Sequence, residues 1–420
     1  MIAEILATGD EIRTGALVDT NSAYLARELE AVGVTVSRHG CVGDDAPAIA
    51  AVLTEIGARA DIALVTGGLG PTGDDLTCEA AARAAGVPQE LNPRVLETIR
   101  AYFAGRSLPM PESNRRQALL PRGADVLENP VGTAPGFSLV IGRCRFWFMP
   151  GVPFEMERMY RDQVRPALEK MMGTDRGIHL TRTLSVFGLT ESATEERLAG
   201  LDRAFPGIRP GLRAFFPEIQ VKLYGDGTDR AALEGEMAAA SAWAAERLGD
   251  RVFSMAEESM AAVAGRLLRE RGATLALAES CTGGLIASRM TDVPGSSDYF
   301  LFSAVTYANA AKAAVLGVPP DTLARHGAVS VETAAAMAVG VRRVAGATYG
   351  LSVSGIAGPG GGTPDKPVGT ACFGLAGPDG TTTLQARLHF ATREMNKSMF
   401  AMKAMDLLRR ELMGCGRTAS

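Results

Sequence analysis

The sequence predicts an α/β protein in which two α/β domains with mainly parallel sheets, residues 1–172 and 253–420, are joined by a small α+β domain at 173–252. Three observations lead there. At 420 residues the chain is longer than one hydrophobic core supports, so it divides into domains. In its first and last parts short apolar runs alternate with amphipathic helical stretches, the pattern of a parallel sheet covered by helices. Between them that alternation lapses, and it resumes near Met255.

In the first domain IAEILAT reads as a strand, SAYLARELEAVG as a helix, VTVSRHGCVG as a strand, PAIAAVLTEIGARA as a helix and DIALVTGG as a strand. Gly33 and Gly57 stand where helix ends are expected. The middle segment offers strands TRTLSVFG and LRAFFPEIQVKLYG and helices TESATEERLAGL and DRAALEGEMAAASAWAAERLG. It lacks a GxxG loop flanked by basic residues, so it reads as a spacer or dimer-forming module, with no direct nucleic-acid binding expected. The last domain opens with the helix MAAVAGRLLRERG and the strand TLALA. A helix follows Gly284, then strands near LFSAVTYA and TYGLSVSG and a final strand near TACFGLAG. The glycine-rich AGPGGGTPDKP (Ala357–Pro367) is too long for a tight turn and reads as a functional loop.

Hydrophobic residues are 46% of the chain, charged residues 21%, and the formal net charge is -4, so no overall charge draws it to nucleic acid or anionic membrane. The six cysteines (Cys41, Cys78, Cys144, Cys281, Cys372, Cys415) contain no CxxC pair and resemble neither a disulfide framework nor a zinc site. MIAEILATGDEI has no signal-peptide pattern, and no later segment offers about 20 apolar residues without charge. A soluble cytoplasmic protein with no membrane partner is expected.

Two stretches of the first domain carry chemistry. TGDEIRTGALVDTNS (Thr8–Ser22) and TGGLGPTGDDLT (Thr66–Thr77) each place Thr-Gly at the C-terminal end of a strand, where ligands bind in open parallel sheets. The glycines Gly9, Gly67, Gly68 and Gly70, with Thr72, let the backbone approach a phosphate. Asp10, Glu11, Asp19, Asp74 and Asp75 would repel that phosphate unless a divalent cation lay between them. Together they imply metal-assisted binding or cleavage of a diphosphate or similar anion. Asp74 and Asp75 equally suit helix N-caps ahead of LTCEAAARAAG.

TGDEI, DTNS, GGLGPTGDD, NPVGTAPGF (Asn129–Phe137) and PGVPFEM (Pro150–Met156) resemble the molybdopterin-binding-type domain of the CinA (competence/damage-inducible) family. The resemblance implies hydrolysis of ADP-ribose to AMP and ribose 5-phosphate with a divalent metal (Mg, Mn or Co). It makes Asp19, Asp74 and Asp75 the metal residues, and it implies a KH-like connector. More distant relatives bind molybdopterin.

The last domain contains LALAESCTGGLIAS (Leu275–Ser288). A strand that ends in serine and turns into a glycine-bearing helix presents Ser280 at a helix N-terminus, with the N–H groups of Thr282 and Gly283 as oxyanion donors. No histidine stands in a triad-like context: His326 lies at a helix end in LARHGAVS, and His389 in what reads as a strand. VTYANAAKAAVLG instead offers Tyr307 at a strand end and Lys312 near a helix start, and a lysine in apolar surroundings has the lowered pKa a base needs. Cys281 is an alternative nucleophile, and Ser280 as a plain N-cap an alternative reading. Glu279 either orients a substrate group or pairs with Lys312.

AESCTGG, GSSDYF, VTYANAAK, LARHGAVS, SGIAGPGGG and KPVGT resemble the C-terminal domain of the same family, related to nicotinamide-nucleotide amidohydrolases. The resemblance implies that Ser280 attacks the carboxamide of nicotinamide mononucleotide. Lys312 and Tyr307 pass the proton to departing ammonia, and water releases nicotinate mononucleotide without a cofactor. Substrate contacts fall to Glu279, Thr282, Gly283 and Gly284 at the turn. The phosphate and ribose fall to Ser354, Gly355, Gly358, Gly360, Gly361 and Gly362 with Lys366. Gly360 stands where relatives often carry an acidic residue, so no side-chain role transfers there. Arg393, in ATREMNKS, either reaches this site or starts a solvated helix. The expectation is a homodimeric, bifunctional enzyme of pyridine-nucleotide salvage. Its alternatives are a nucleotide-sensing adaptor in competence or DNA repair and a molybdopterin-binding protein, each with a non-catalytic first domain.

Overall fold

The structure, a computed structural model, describes residues 1–173 and 178–414, so Cys415 lies outside the described residues. The chain forms two compact units, Met1–Leu180 with Asp226–Leu233, and Thr181–Gly225 with Glu234–Ser420. Among the described residues no helix is long and apolar enough to cross a membrane.

The first unit holds strands β1 (Ile2–Thr8), β2 (Thr35–Val42), β3 (Ile62–Thr66), β4 (Gln89–Leu91), β5 (Leu119–Pro121), β6 (Asp125–Leu127), β7 (Gly136–Ile141) and β8 (Cys144–Met149). Six of them make one sheet in the order β2-β1-β3-β8-β7-β6. The pairs around β1 and β3 are parallel, whereas β7 pairs antiparallel with both β6 and β8. Two residues separate β7 from β8, far too few for a crossover, so the chain turns back as a hairpin. Because β3 is buried on both faces, its side chains feed two cores. Ala63 and Val65 pack with Leu53, Ile56 and Phe146, while Ile62 and Leu64 pack with Leu25, Trp147 and Tyr160. Each fully buried Leu or Val contributes about 1.5–3 kcal/mol.

The second unit carries a four-stranded sheet, β10-β11-β9-β12, built from β9 (Ile178–Val186), β10 (Ile208–Phe215), β11 (Glu218–Gly227) and β12 (Val252–Ser254). A five-stranded sheet follows in the order β14-β13-β15-β16-β17, with β13 (Leu275–Glu279), β14 (Phe300–Val305), β15 (Tyr349–Gly355), β16 (Thr370–Gly377) and β17 (Gly380–Arg387). β13 runs parallel to β14 and β15, and β16 and β17 add antiparallel hairpins. β17 corrects the expectation that the strand near TACFGLAG is the last. GTTTLQAR is an edge strand with one face in water and shows no apolar run to betray it. It ends at Arg387, so His389 lies beyond any strand. Leu275 and Leu277 pack on one face of the sheet, Ala276 and Ala278 on the other.

Both sheets reverse strand order at a central strand, β1 flanked by β2 and β3, and β13 flanked by β14 and β15. Loops leaving the carboxyl ends on either side of such a switch point diverge and leave a crevice between them. Each candidate site lies there.

Candidate functional site

In the second unit three strand ends are stitched together by backbone bonds. The Thr306 N–H donates to the Glu279 carbonyl at 2.9 Å, and the Ser280 N–H to the Val353 carbonyl at 3.1 Å. Beyond Ser280 the chain turns on Gly283 (φ 64°) and Gly284 (φ 95°), left-handed conformations that glycine adopts without strain, before the helix Leu285–Thr291 begins.

Glu279 neither faces substrate nor pairs with Lys312, which corrects both readings offered for it. It is fully buried, and its carboxylate accepts the N–H groups of Gly284 (3.0 Å), Ile286 (3.2 Å) and Ala287 (2.8 Å). A buried carboxylate needs such donors, and the first turn of a helix supplies unpaired ones. The Thr282 N–H donates to no protein acceptor among the described residues, but the first-turn N–H groups of that helix are taken. The Gly283 N–H is also spent, donating to the Ser280 carbonyl at 3.2 Å. Thr282, Gly283 and Gly284 are not among the residues lining the cavity.

Lys312, in the helix Asn309–Leu316, is fully buried. Its Nζ lies 3.1 Å from Ser280 Oγ, 2.8 Å from the Thr306 carbonyl and 3.2 Å from the Tyr307 carbonyl. Burial lowers its pKa from the usual 10.5, and none of these partners is a carboxylate that would restore it. Cys281, by contrast, packs into the core, and burial pushes its thiol up to about 12. It is a thiol at neutral pH and a poor nucleophile. Tyr307 reaches Lys312 only through its carbonyl. Its phenol, on a residue 64% exposed, accepts a bond from Arg393 Nη2 at 3.2 Å.

The cavity beside Ser280 measures about 260 Å³. Ser354, Gly355, Gly358, Gly360 and Gly361 line it, although the Ser354 hydroxyl is committed to the Ala328 carbonyl at 2.7 Å. Gly362 and Lys366 do not line it. Lys366 Nζ instead donates to the His326 carbonyl at 2.7 Å, at the end of the helix Pro320–His326, where the unpaired carbonyls of a last turn attract a cation. Arg393 supplies the cation in its place, lining the cavity and donating through Nη1 to the Gly358 carbonyl at 2.6 Å. Among the described residues the backbone N–H groups of Gly358, Gly360 and Gly361 donate to no protein acceptor, and no cavity-lining residue carries a carboxylate. The cavity suits an anion.

In the first unit a cleft of about 440 Å³ opens where β1, β3 and β8 end. Gly9, Asp19, Gly67, Gly68, Gly70, Thr72, Asp74 and Asp75 all line it, together with Asn21, Asp44 and Glu155, which the sequence did not single out as site residues. Gly67 (φ 107°) and Gly68 (φ 64°) pass so close to Thr8 and Thr77 that a Cβ would clash at either position. Neither Asp74 nor Asp75 caps the following helix, Thr77–Ala85, whose N-cap is Leu76. Asp75 instead accepts the N–H groups of Gly70 (2.7 Å) and Thr72 (2.8 Å), and both Asp74 and Asp75 bond the Thr72 hydroxyl. The Gly70 and Thr72 N–H groups are thus not free for phosphate. Asp19 caps the helix Thr20–Ala31 through the Ser22 N–H at 2.8 Å.

These commitments bear on the metal. Among the described residues no three His, Cys, Asp or Glu side chains converge as a ligand set. Asp19, Asp74 and Asp75 line one cleft without forming a cage. Burial and the charges of Asp10, Glu11 and Asp74 raise the Asp44 pKa, so negative charge is nonetheless concentrated at this mouth. The Asn21 amide donates to Thr66 Oγ1 (3.0 Å) and the Gly151 carbonyl (2.8 Å), while its buried Oδ1 has no hydrogen-bond partner.

Family models match along the chain: a probable molybdopterin binding domain at residues 4–170, a damage-inducible protein CinA KH domain at 181–254 and a CinA C-terminal domain at 257–412. A CinA-like protein of Desulfosudis oleivorans is 54% identical over 413 residues, covering 98% of this chain and 100% of its own. A CinA-like protein of Desulforapulum autotrophicum is 50% identical over 417 residues, covering 98% and 99%. The crystal structure of a competence/damage inducible protein from Agrobacterium tumefaciens is 35% identical over 36% of this chain and 94% of its own, with a TM-score of 0.34.

Proposed function

The chain belongs to the CinA family, and from that premise we propose that its C-terminal domain deamidates nicotinamide mononucleotide to nicotinate mononucleotide and ammonia. The observation that carries this reading is the contact of Lys312 Nζ with Ser280 Oγ. A neutral amine has two protons and one lone pair. Two carbonyls, of Thr306 and Tyr307, take the protons, which leaves the lone pair to accept the Ser280 hydroxyl.

Ser280 Oγ then attacks the carboxamide carbon as its proton passes to Lys312. When the C–N bond breaks, Lys312 returns that proton to the leaving nitrogen, which departs as ammonia. Water attacks the acyl ester with Lys312 again taking a proton, and the C–O bond to Ser280 breaks as that proton passes to Ser280 Oγ, freeing the acid and restoring the neutral amine. Arg393 and the glycine N–H groups receive the substrate phosphate, the role first given to Lys366. Tyr307 holds Arg393 through its phenol and takes no proton from the dyad. Incubation with nicotinamide mononucleotide in chelator should release ammonia, and Ser280→Ala should abolish it. Ammonia at the wild-type rate from Ser280→Ala would refute this mechanism.

For the N-terminal domain we propose a nucleoside diphosphate ligand in the cleft of β1, β3 and β8, ADP-ribose being the candidate to test. Glycine turns at the switch point support it. A divalent cation there would draw most of its ligands from phosphate oxygens and water, since the carboxylates do not converge. The engagement of Asp19 and Asp75 with backbone N–H groups favours a second reading, binding without turnover. Calorimetric titration with ADP-ribose, with and without metal, beside an assay for AMP separates the two.

A further inference from the structure

We propose that the β10–β11 hairpin of the small domain is a working part of the amidase site, with Phe216 at its tip positioning Arg393 and the glycine loop. The tip is apolar and outside its own domain's core: Phe215 is 52% exposed and Phe216 40%. The Phe216 ring meets Phe390 edge-on, with centroids 4.9 Å apart and planes at 69°.

From Phe390 a continuous chain of contacts leads to the cavity. The Phe390 N–H donates to Asn396 Oδ1 at 2.7 Å. Asn396, 1% exposed, returns its Nδ2 to the Phe390 carbonyl at 3.4 Å and to the Ala357 carbonyl at 3.0 Å. Ala357 lines the cavity and precedes Gly358, whose carbonyl accepts Arg393. Arg393 itself lies between Phe390 and Asn396 in the chain. One amide therefore clamps the segment bearing the cation to the loop bearing the free N–H groups, and Phe216 braces that clamp from outside.

Arg289 donates through Nη2 to Ser398 Oγ at 2.6 Å, joining the helix Leu285–Thr291 to the helix that Arg393 begins. The aromatic contact thus ties the hairpin to the anion-binding side of the cavity. Phe216 is a positioning residue: it touches no substrate, and it acts on affinity.

The kinetic arm rests on the amidase reading. Phe216→Ala should raise KM for nicotinamide mononucleotide about three- to tenfold, the worth of one aromatic pair, with kcat within about twofold. Phe216→Tyr should restore it. Phe390→Ala should raise KM similarly, and the double variant should add little to either single change, because both remove one contact. Hydrogen exchange supplies a readout independent of turnover. Peptides spanning 354–362 and 388–398 should exchange faster in Phe216→Ala, while those around Ser280 stay as in wild type. An unchanged KM together with unchanged exchange in the full chain overturns the proposal. Wild-type protein that releases no ammonia defeats the amidase reading alone, and exchange then decides this one.

Discussion

Lys312 Nζ lies 3.1 Å from Ser280 Oγ and is otherwise bonded only to carbonyls, those of Thr306 and Tyr307. No carboxylate holds its proton in place, and burial favours the neutral amine.

The first prediction concerns pH. With the folded Lys312 pKa below 10.5, protonation disables the base, so kcat/KM for deamidation should rise with pH through an ionisation below that value. The unfolded chain binds this proton where the folded chain does not, so stability should also rise with pH between the folded pKa and 10.5. Lys312→Met should therefore lose about a hundredfold to ten-thousandfold in rate while melting at the same or a higher temperature near pH 7. A pH–rate profile and calorimetry check both halves. A sharp loss of stability in Lys312→Met would show that the lysine is charged and paired.

Ser280→Ala and Cys281→Ala should separate cleanly. The first removes the nucleophile and leaves the fold intact. The second deletes a buried thiol, costing about 1 kcal/mol of stability with activity within a few fold. Ammonia release and chemical denaturation of each variant measure this.

Glu279→Gln changes no volume yet places an amide NH2 against helix N–H groups that need acceptors. It should cost about 1–3 kcal/mol and lower kcat more than it changes KM, because the turn carrying Ser280 loosens. Denaturant titration and steady-state kinetics on one preparation supply both numbers. Wild-type stability would mean the carboxylate is not the cap.

Arg393→Gln should raise KM for nicotinamide mononucleotide about tenfold to a hundredfold, as expected for losing a charge-assisted phosphate contact, and affect the dephosphorylated nucleoside little. Lys366→Ala should stay within about threefold, its ammonium being occupied at the His326 carbonyl. The reverse ranking would return the phosphate to Lys366.

The dyad was legible because short-range pattern encodes it: a strand ending in Ser280, and a lysine just past the next apolar strand in an alanine-rich helix. Nine of the ten residues named for the first cleft line it, Asp10 being the exception, since glycine turns at strand ends advertise themselves. What those side chains bond was not legible. Glu279, Asp19 and Asp75 read as ligands for substrate or metal, and each is engaged with backbone N–H groups. A carboxylate in a turn has both options, and the choice depends on where nearby N–H groups point.

The amino-acid sequence by itself determined the alternating α/β architecture and the presence of serine and lysine beside adjacent strand ends, which follow from periodicity and local spacing, and its motifs carried the resemblance to the family. Tertiary structure alone decided that Arg393 and not Lys366 faces the cavity, that Cys281 is buried and that Phe216 reaches Phe390, 174 positions away. Those outcomes depend on how distant segments pack, and neither hydropathy nor motif spacing records which side chains come to share a desolvated space.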